Sequence, residues 1–262
     1  TTYNVSLTVT NTNGCSNTIS KALTIYPPPI VDFTTGAGCL GTTTNFFDQS
    51  YYIYGSITDW YWDFGEPFSG NNNYSYAQNP SHTYSTTGDF VVTLIVTTSD
   101  FCKDTIQKTV TINQLPIADY TATTPCLGDT SYFIDLSIPI AAPIISWNWD
   151  FGDGNSSNLQ NPSHLYTIAS QYVAFLTVTD TNGCQHTIDH LVTVNPLPIP
   201  QFFYSQPCEN SPTFFTDFSV GSGANIITWL WDFDDPGSGS SNFSTVQHPI
   251  HIFTSSGTYD VT

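Results

Sequence analysis

The chain repeats itself, and the repeat fixes the size of the unit that must fold. Three segments carry the same signature. They are Trp60-Tyr61-Trp62-Asp63-Phe64-Gly65, Trp147-Asn148-Trp149-Asp150-Phe151-Gly152-Asp153-Gly154 and Trp229-Leu230-Trp231-Asp232-Phe233-Asp234, spaced by 87 and 82 residues. A second signature follows each: Asn79-Pro80-Ser81-His82-Thr83-Tyr84, Asn161-Pro162-Ser163-His164-Leu165-Tyr166, and a looser His248-Pro249-Ile250-His251-Ile252-Phe253. A third is Gly88-Asp89-Phe90, Ser170-Gln171-Tyr172 and Gly257-Thr258-Tyr259. The N-terminal run Thr2-Tyr3-Asn4-Val5 matches Thr258-Tyr259-Asp260-Val261, so Tyr3, Phe90, Tyr172 and Tyr259 are equivalent. The chain therefore opens and closes at the same phase, within a predicted strand. The expectation is a window cut from a longer array. It holds the last strands of one repeat (1–26), two whole repeats (27–113 and 114–195), and a repeat lacking its last strands (196–262).

Period-2 alternation dominates each repeat, which argues for half-buried strands. Trp147, Trp149 and Phe151 fall on one face, Asn148 and Asp150 on the other. Tyr172, Ala174, Leu176 and Val178 line another strand, and Phe46, Phe133 and Phe215 recur on an earlier one. No helical period appears. Some seven strands are predicted per repeat; in 114–195 they lie near 117–123 (A), 130–136 (B), 144–151 (C), within 156–167 (one or two short strands), 171–180 (F) and 186–194 (G). Asn13-Gly14 and Asn182-Gly183 signal the F–G hairpin turn. Proline-rich joints at Tyr26-Pro27-Pro28-Pro29, Leu115-Pro116 and Pro196-Leu197-Pro198 are short and stiff. The fold class is all-β, with tandem immunoglobulin-like sandwiches arranged as an elongated rod.

In order, the Trp-x-Trp-Asp-Phe-Gly-Asp-Gly, Asn-Pro-Ser-His-x-Tyr and Gly-x-Tyr-x-Val-x-Leu-x-Val runs resemble the polycystic-kidney-disease (PKD) domain. The resemblance covers both whole repeats and both fragments. In flavour it is similar to PKD arrays of giant surface proteins from Bacteroidetes-type bacteria. Glu66-Pro67, Asp234-Asp235-Pro236 and Ser170 depart from the pattern.

Composition narrows function. Only 9% of the 262 residues are charged, and three lysines face 21 acids for a net charge of −18. Three lysines cannot neutralise a phosphate backbone, so nucleic acid is excluded as a partner. With 15% aromatic residues the chain is not a disordered acidic tail. No apolar run is long enough to span a membrane, so no membrane insertion is expected in this segment, and no signal peptide is visible.

Six cysteines keep the repeat phase. Cys39, Cys126 and Cys208 follow strand A, and Cys15, Cys102 and Cys184 sit at the F–G turn; each turn cysteine precedes the next by 24 residues. An even periodic set without a Cys-x-x-Cys pair reads as disulfides in an oxidising, extracellular compartment. In an immunoglobulin-like sandwich the A–B loop and the F–G turn lie at opposite poles, and a disulfide spans only about 4.4–6.8 Å between Cα atoms. The A–B loop of one repeat faces the F–G turn of the next. The favoured pairing is therefore an inter-repeat bridge, Cys39 to Cys184, with the other four pairing beyond this window. Pairing within a repeat (Cys39–Cys102, Cys126–Cys184) stays open if strand A lies elsewhere, as does pairing of sequence neighbours.

The densest carboxylates flank the tryptophan signature: Asp63 with Glu66, Asp150 with Asp153, and Asp232 with Asp234 and Asp235. Hard oxygen donors suit calcium, and some PKD domains bind it, so these form a candidate calcium set. The alternative is a turn cap at Asp150 with solvated neighbours. His82, His164 and His251 recur with the same local sequence and are expected to hold a structural hydrogen bond near the tryptophan strand. Trp60, Trp62, Trp147, Trp149, Trp229 and Trp231 are expected in the structural motif. His186 and His190 have no evident partner cluster. Tyr51-Tyr52-Ile53-Tyr54, with Tyr74 and Tyr76, form an aromatic group peculiar to one repeat, read either as a sugar-stacking surface or as a packed loop. Asp104-Thr105-Ile106 fits a short O-glycosylation signal placed on a turn, at Thr105. No Gly-x-Ser-x-Gly elbow is present and no enzymatic site is expected.

The reading is a non-catalytic stalk segment of an extracellular adhesin or surface filament. Its expected partners are neighbouring repeats and further copies, the latter through strands 1–26 completing the open sandwich 196–262. The alternative is a PKD spacer or accessory binding module, for protein or carbohydrate, in a large secreted enzyme.

Overall fold

The structure, a computed structural model, describes residues 1–206 and 208–262. Twenty-one strands are described, and no α-helix is found among the described residues. The chain divides into two compact units.

The first unit comprises Thr1–Asp119, Leu136–Trp147 and Thr177–Ile188. It opens with a hairpin of β1 (Thr2–Thr10) and β2 (Ser16–Thr24). Tyr3, Leu7 and Val9 face Leu23, Ile19 and Asn17 across it, while Thr2, Ser6, Thr8 and Thr10 form a ladder of hydroxyl pairs on the other face. Both faces are exposed. The first whole repeat follows as β3 (Phe33–Thr35), β4 (Thr43–Asp48), β5 (Ile57–Asp63), β6 (Tyr74–Ser75), β7 (Ser81–Thr83), β8 (Gly88–Thr98) and β9 (Lys103–Ile112). They make two antiparallel sheets, β3-β4-β7 and β6-β5-β8-β9. Alternation puts Phe33, Phe46, Trp62, Val92, Leu94 and Val96 into the space between them. The Trp62 ring meets Phe33 edge-on at 5.2 Å and Phe46 at 5.6 Å, geometry that aromatic quadrupoles favour.

The second unit comprises Tyr120–Asp135, Asn148–Leu176 and Asp189–Thr262. The second repeat runs β10 (Tyr120–Ala122), β11 (Ser131–Asp135), β12 (Ile144–Asp150), β13 (Ser156–Ser157), β14 (Ser163–His164), β15 (Gln171–Asp180) and β16 (Gln185–Thr193). Its sheet orders, β10-β11-β14 and β13-β12-β15-β16, copy those of the first repeat. Within the unit Trp149 packs on Tyr120 and Phe133. The third repeat contributes β17 (Phe202–Tyr204), β18 (Pro212–Asp217), β19 (Trp231–Asp232), β20 (Phe243–Ser244) and β21 (Ile250–Ile252). Its sheets are β17-β18-β21 and β19-β20. The all-β, tandem-sandwich expectation is thus met, with strands close to the predicted boundaries. One placement is corrected. Thr105 stands inside β9, exposed, and not on a turn, because the β8–β9 pairing extends to Thr97 opposite Lys103.

Candidate functional site

The tryptophan strand ends in a tight turn, and the turn aims an acid at a histidine. Asp63 Oδ1 accepts the Gly65 N–H, Asp150 Oδ1 the Gly152 N–H and Asp232 Oδ1 the Asp234 N–H, each at 2.9 Å. The third residue of this turn takes positive φ: Gly65 at 76°, Gly152 at 78° and Asp234 at 53°. A Cβ on Gly152 would sit 2.3 Å from the Val173 carbonyl oxygen, which is why glycine serves there. The turn delivers the fourth residue, Glu66, Asp153 or Asp235, to the recurring histidine.

Nε2 of His82 lies 2.9 Å from Glu66, that of His164 2.7 Å from Asp153, and that of His251 3.1 Å from Asp235. Each imidazole stacks on the phenylalanine of the turn, Phe64, Phe151 or Phe233, with centroids 4.3–4.5 Å apart. Each meets Tyr84, Tyr166 or Phe253 edge-on. The carboxylates take further donors: the Ser85 N–H and hydroxyl on Glu66, the Asn155 N–H and amide on Asp153, the Thr254 N–H and hydroxyl on Asp235. Burial pushes the Glu66 and Asp153 carboxyls up, but these hydrogen bonds outweigh it and both titrate below the ordinary range. At Asp235 the Thr254 bond leads the same downward shift. Burial drives the Tyr84 and Tyr166 hydroxyls far upward, so they stay protonated and donate to the carbonyls of Phe64 and Phe151.

The structure thus places the candidate calcium residues as follows. Glu66 and Asp153 face histidines, Asp63 and Asp150 close turns, and Asp63 and Asp232 each also bind an asparagine amide, Asn73 and Asn242. In the third repeat Asp235, and not Asp234, is the histidine's partner. Asp234 occupies the glycine position of the turn and points its carboxylate to the Asp260 N–H. Among the described residues no group of three or more His, Cys, Asp and Glu side chains converges as a metal set.

The remaining signature residues are fasteners. Trp62, Trp149 and Trp231 donate to the carbonyls of Ala77, Leu159 and Val246. Trp60 and Trp229 donate to Asp48 and Asp217; Trp147 is half-buried. The Asn79 and Asn161 side chains accept the N–H of Asp48 and Asp135, and His248 does the same for Asp217 through Nδ1. That explains the looser third signature: one acceptor is replaced by another. His186 and His190, for which no partner was expected, have them. His186 Nδ1 accepts the Ala118 N–H, and His190 stacks on Tyr120 at 4.5 Å. Burial first raises the Tyr120 hydroxyl to about 12, with Asp189 adding, against the His190 backbone N–H that donates to the phenol oxygen at 3.0 Å.

Two further sites lie in the first unit. Cys39 and Cys184 form a disulfide with Cα atoms 5.6 Å apart, and both are buried. Cys15, Cys102, Cys126 and Cys208 are free thiols. The tyrosines separate into two groups. Tyr61 stacks with Tyr74 and meets Tyr76. Tyr54 contacts Tyr26 and Tyr52, whose hydroxyl donates to Asp100.

The PKD-domain family profile matches residues 26–113 and again 113–195. The chain belongs to the PKD-domain family. Among curated relatives, it is 41% identical over 54 residues to a microbial collagenase of Vibrio alginolyticus, covering 21% of this chain and 7% of that protein. It is 40% identical over 55 residues to collagenase ColA of Bacillus cereus, covering 21% and 6%. The PKD chain thus spans well under a tenth of the curated relatives it matches. Among solved structures, the PKD1 domain of Vibrio anguillarum Epp shares 35% identity, covering 31% of this chain and 95% of that one, with a TM-score of 0.30. The PKD1 domain of the Vibrio cholerae metalloprotease PrtV shares 31%, covering 30% and 96%, with a TM-score of 0.29.

Proposed function

We propose that this PKD segment is an extracellular, non-catalytic spacer: a stalk whose consecutive repeats are stiffened so that whatever it carries is held at a distance. The observation behind this reading is the Cys39–Cys184 disulfide, which ties the loop after β3 to the β15–β16 turn across 145 residues of chain. A covalent tie of that kind restrains a joint that proline alone only biases. The same bond supports an oxidising compartment. The repeat boundaries at 27–113, 114–195 and 196–262, and the rod arrangement, belong to this proposal. Small-angle scattering on oxidised and reduced protein tests it. The expected result is a narrower distribution of end-to-end lengths when oxidised; indistinguishable profiles overturn the spacer reading.

A second reading, an accessory binding module of a larger secreted enzyme, is favoured by the relatives named as collagenases and by one surface of the first repeat. Tyr61, Ile95 and Thr105 lie in one cross-strand row of the sheet, and Tyr76, just past β6, packs its ring on Tyr61 and is 75% exposed. Co-sedimentation with insoluble collagen and with insoluble polysaccharides tests this module. Binding lost in Tyr76→Ala supports it, and no binding to either overturns it.

A further inference from the structure

The outer face of the sheet β17-β18-β21 is apolar where the fold does not require it. Alternation along β18 turns Thr213 and Phe215 into the core and Phe214 and Thr216 out to solvent, and past the strand end Phe218 and Val220 keep the outward phase. Across the strand pairs, Phe203 stands opposite Thr216, Ile250 opposite Phe214 and Ile252 opposite Pro212. Ile199 bridges Val220 at the end of the face. The phenylalanines, isoleucines and valine of this face are 49–60% exposed. The rings of Phe203 and Phe218 meet edge-on at 5.1 Å on the surface.

The first repeat shows that the same frame stands without these side chains. Its sheet β3-β4-β7 has the same order and register. Where the third repeat carries Phe203, Phe214, Phe218, Ile250 and Ile252, the first carries Thr34, Asn45, Gln49, Ser81 and Thr83, all exposed. The exchange in the other direction is Phe47 against Thr216. In the first repeat the outer face is open to solvent with every flanking strand in place, so the exposure belongs to the three-stranded sheet itself.

The face also lacks charge. None of its cross-strand rows holds a charged residue, and Asp217 of β18 alternates to the other side, where it accepts from Trp229 and Gln247. A chain with a net charge of −18 repels its own copies, and a face without carboxylates is where two copies approach at least cost. At half exposure its apolar side chains present on the order of 700 Å². That exceeds the largest apolar patch of a typical monomer, about 300–600 Å², and comes close to the about 800 Å² per partner of a standard interface. With almost no polar group to be matched, the face is its own complement.

We propose that this face is a docking surface for a second copy of this chain, the two third-repeat sheets packing face to face about a two-fold axis. Sheets packed in this way lie about 10 Å apart with their side chains interdigitated. A two-fold contact closes at two copies, so it joins one chain to one other through their flanks. The pairing does not rest on the spacer reading, which concerns the stiffness of a single chain.

The test is sedimentation equilibrium of the 262-residue protein, its free thiols alkylated, at low and at high salt. A monomer–dimer equilibrium is expected, tightening as salt screens the like charges. The decisive variant carries the first repeat's residues: Phe203→Thr, Phe214→Asn, Phe218→Gln, Ile250→Ser and Ile252→Thr. Its fold is retained, because those side chains already occupy the same positions on the sister sheet, and it should dimerise at least about tenfold more weakly. Phe218→Gln alone, past the end of β18, is the second variant and should weaken the dimer in the same direction. A monomer at every concentration overturns the proposal and leaves the face to a different protein. Association undiminished in both variants overturns it, as do assemblies beyond the dimer or dimers that salt weakens. The spacer reading survives each of these results.

Discussion

Removing the Cys39–Cys184 bond should cost about as much as truncating a large core side chain, and the size follows from chain entropy. The bond closes a loop of 145 residues. In the chain-entropy account it withholds about 17 cal/mol/K from the unfolded state, or about 5 kcal/mol at 25 °C. If only the 114–195 repeat unfolds, the tethered stretch is about 70 residues and the figure about 4.4 kcal/mol. Measured values usually reach about 2–4 kcal/mol. For a block of about 170 residues each kcal/mol moves the midpoint by about 2–4 °C, so a fall of about 5–15 °C is expected. Cys39→Ala with Cys184→Ala is the cleaner variant, because both positions are buried and serine would leave hydroxyls without partners. Scanning calorimetry of wild type, the two single variants and the double variant is the assay. Each single variant should fall as far as the double, since each removes the same bond. A double variant melting within about 1 °C of wild type would refute the reasoning.

Gly152→Ala forces a side chain into positive φ and against the Val173 carbonyl; chemical denaturation should show a loss of at least about 2 kcal/mol in the second repeat. His82→Phe keeps the stack on Phe64 but strips the buried Glu66 of its partner, and a loss of about 3 kcal/mol is expected, partly restored by adding Glu66→Gln. The Glu66, Asp153 and Asp235 carboxyls titrate lower in the folded chain than their ordinary 4.5, 3.8 and 3.8. Their contribution is therefore complete above those values and lost as pH falls through the folded ones; melting midpoints should be flat in this respect from pH 7 to 5 and drop below pH 4.5. Chelator and added calcium should leave the midpoint unchanged, because the acidic-turn carboxylates are engaged with histidine, asparagine and backbone donors.

Repetition made the architecture legible before any coordinates. The alternation that buries Trp62, Trp149 and Trp231, the seven-strand plan and the two cysteine phases are local or periodic properties, and periodicity is written along the chain. The partners of individual side chains were less legible. Nothing local distinguishes Asp234 from Asp235; the choice is made where a turn in positive φ turns one residue outward and passes the next to His251, 16 residues on. His248 replaces Asn79 and Asn161 because a ring nitrogen reaches the Asp217 N–H, an equivalence of acceptor geometry that residue type conceals. The sequence by itself determined the period, the strands and the faces they bury, because one strand's pattern carries that information. Only the tertiary structure decided which acid meets which histidine, what His186 and His190 hold, and which thiols are bonded, because those contacts depend on loops distant in sequence converging in space.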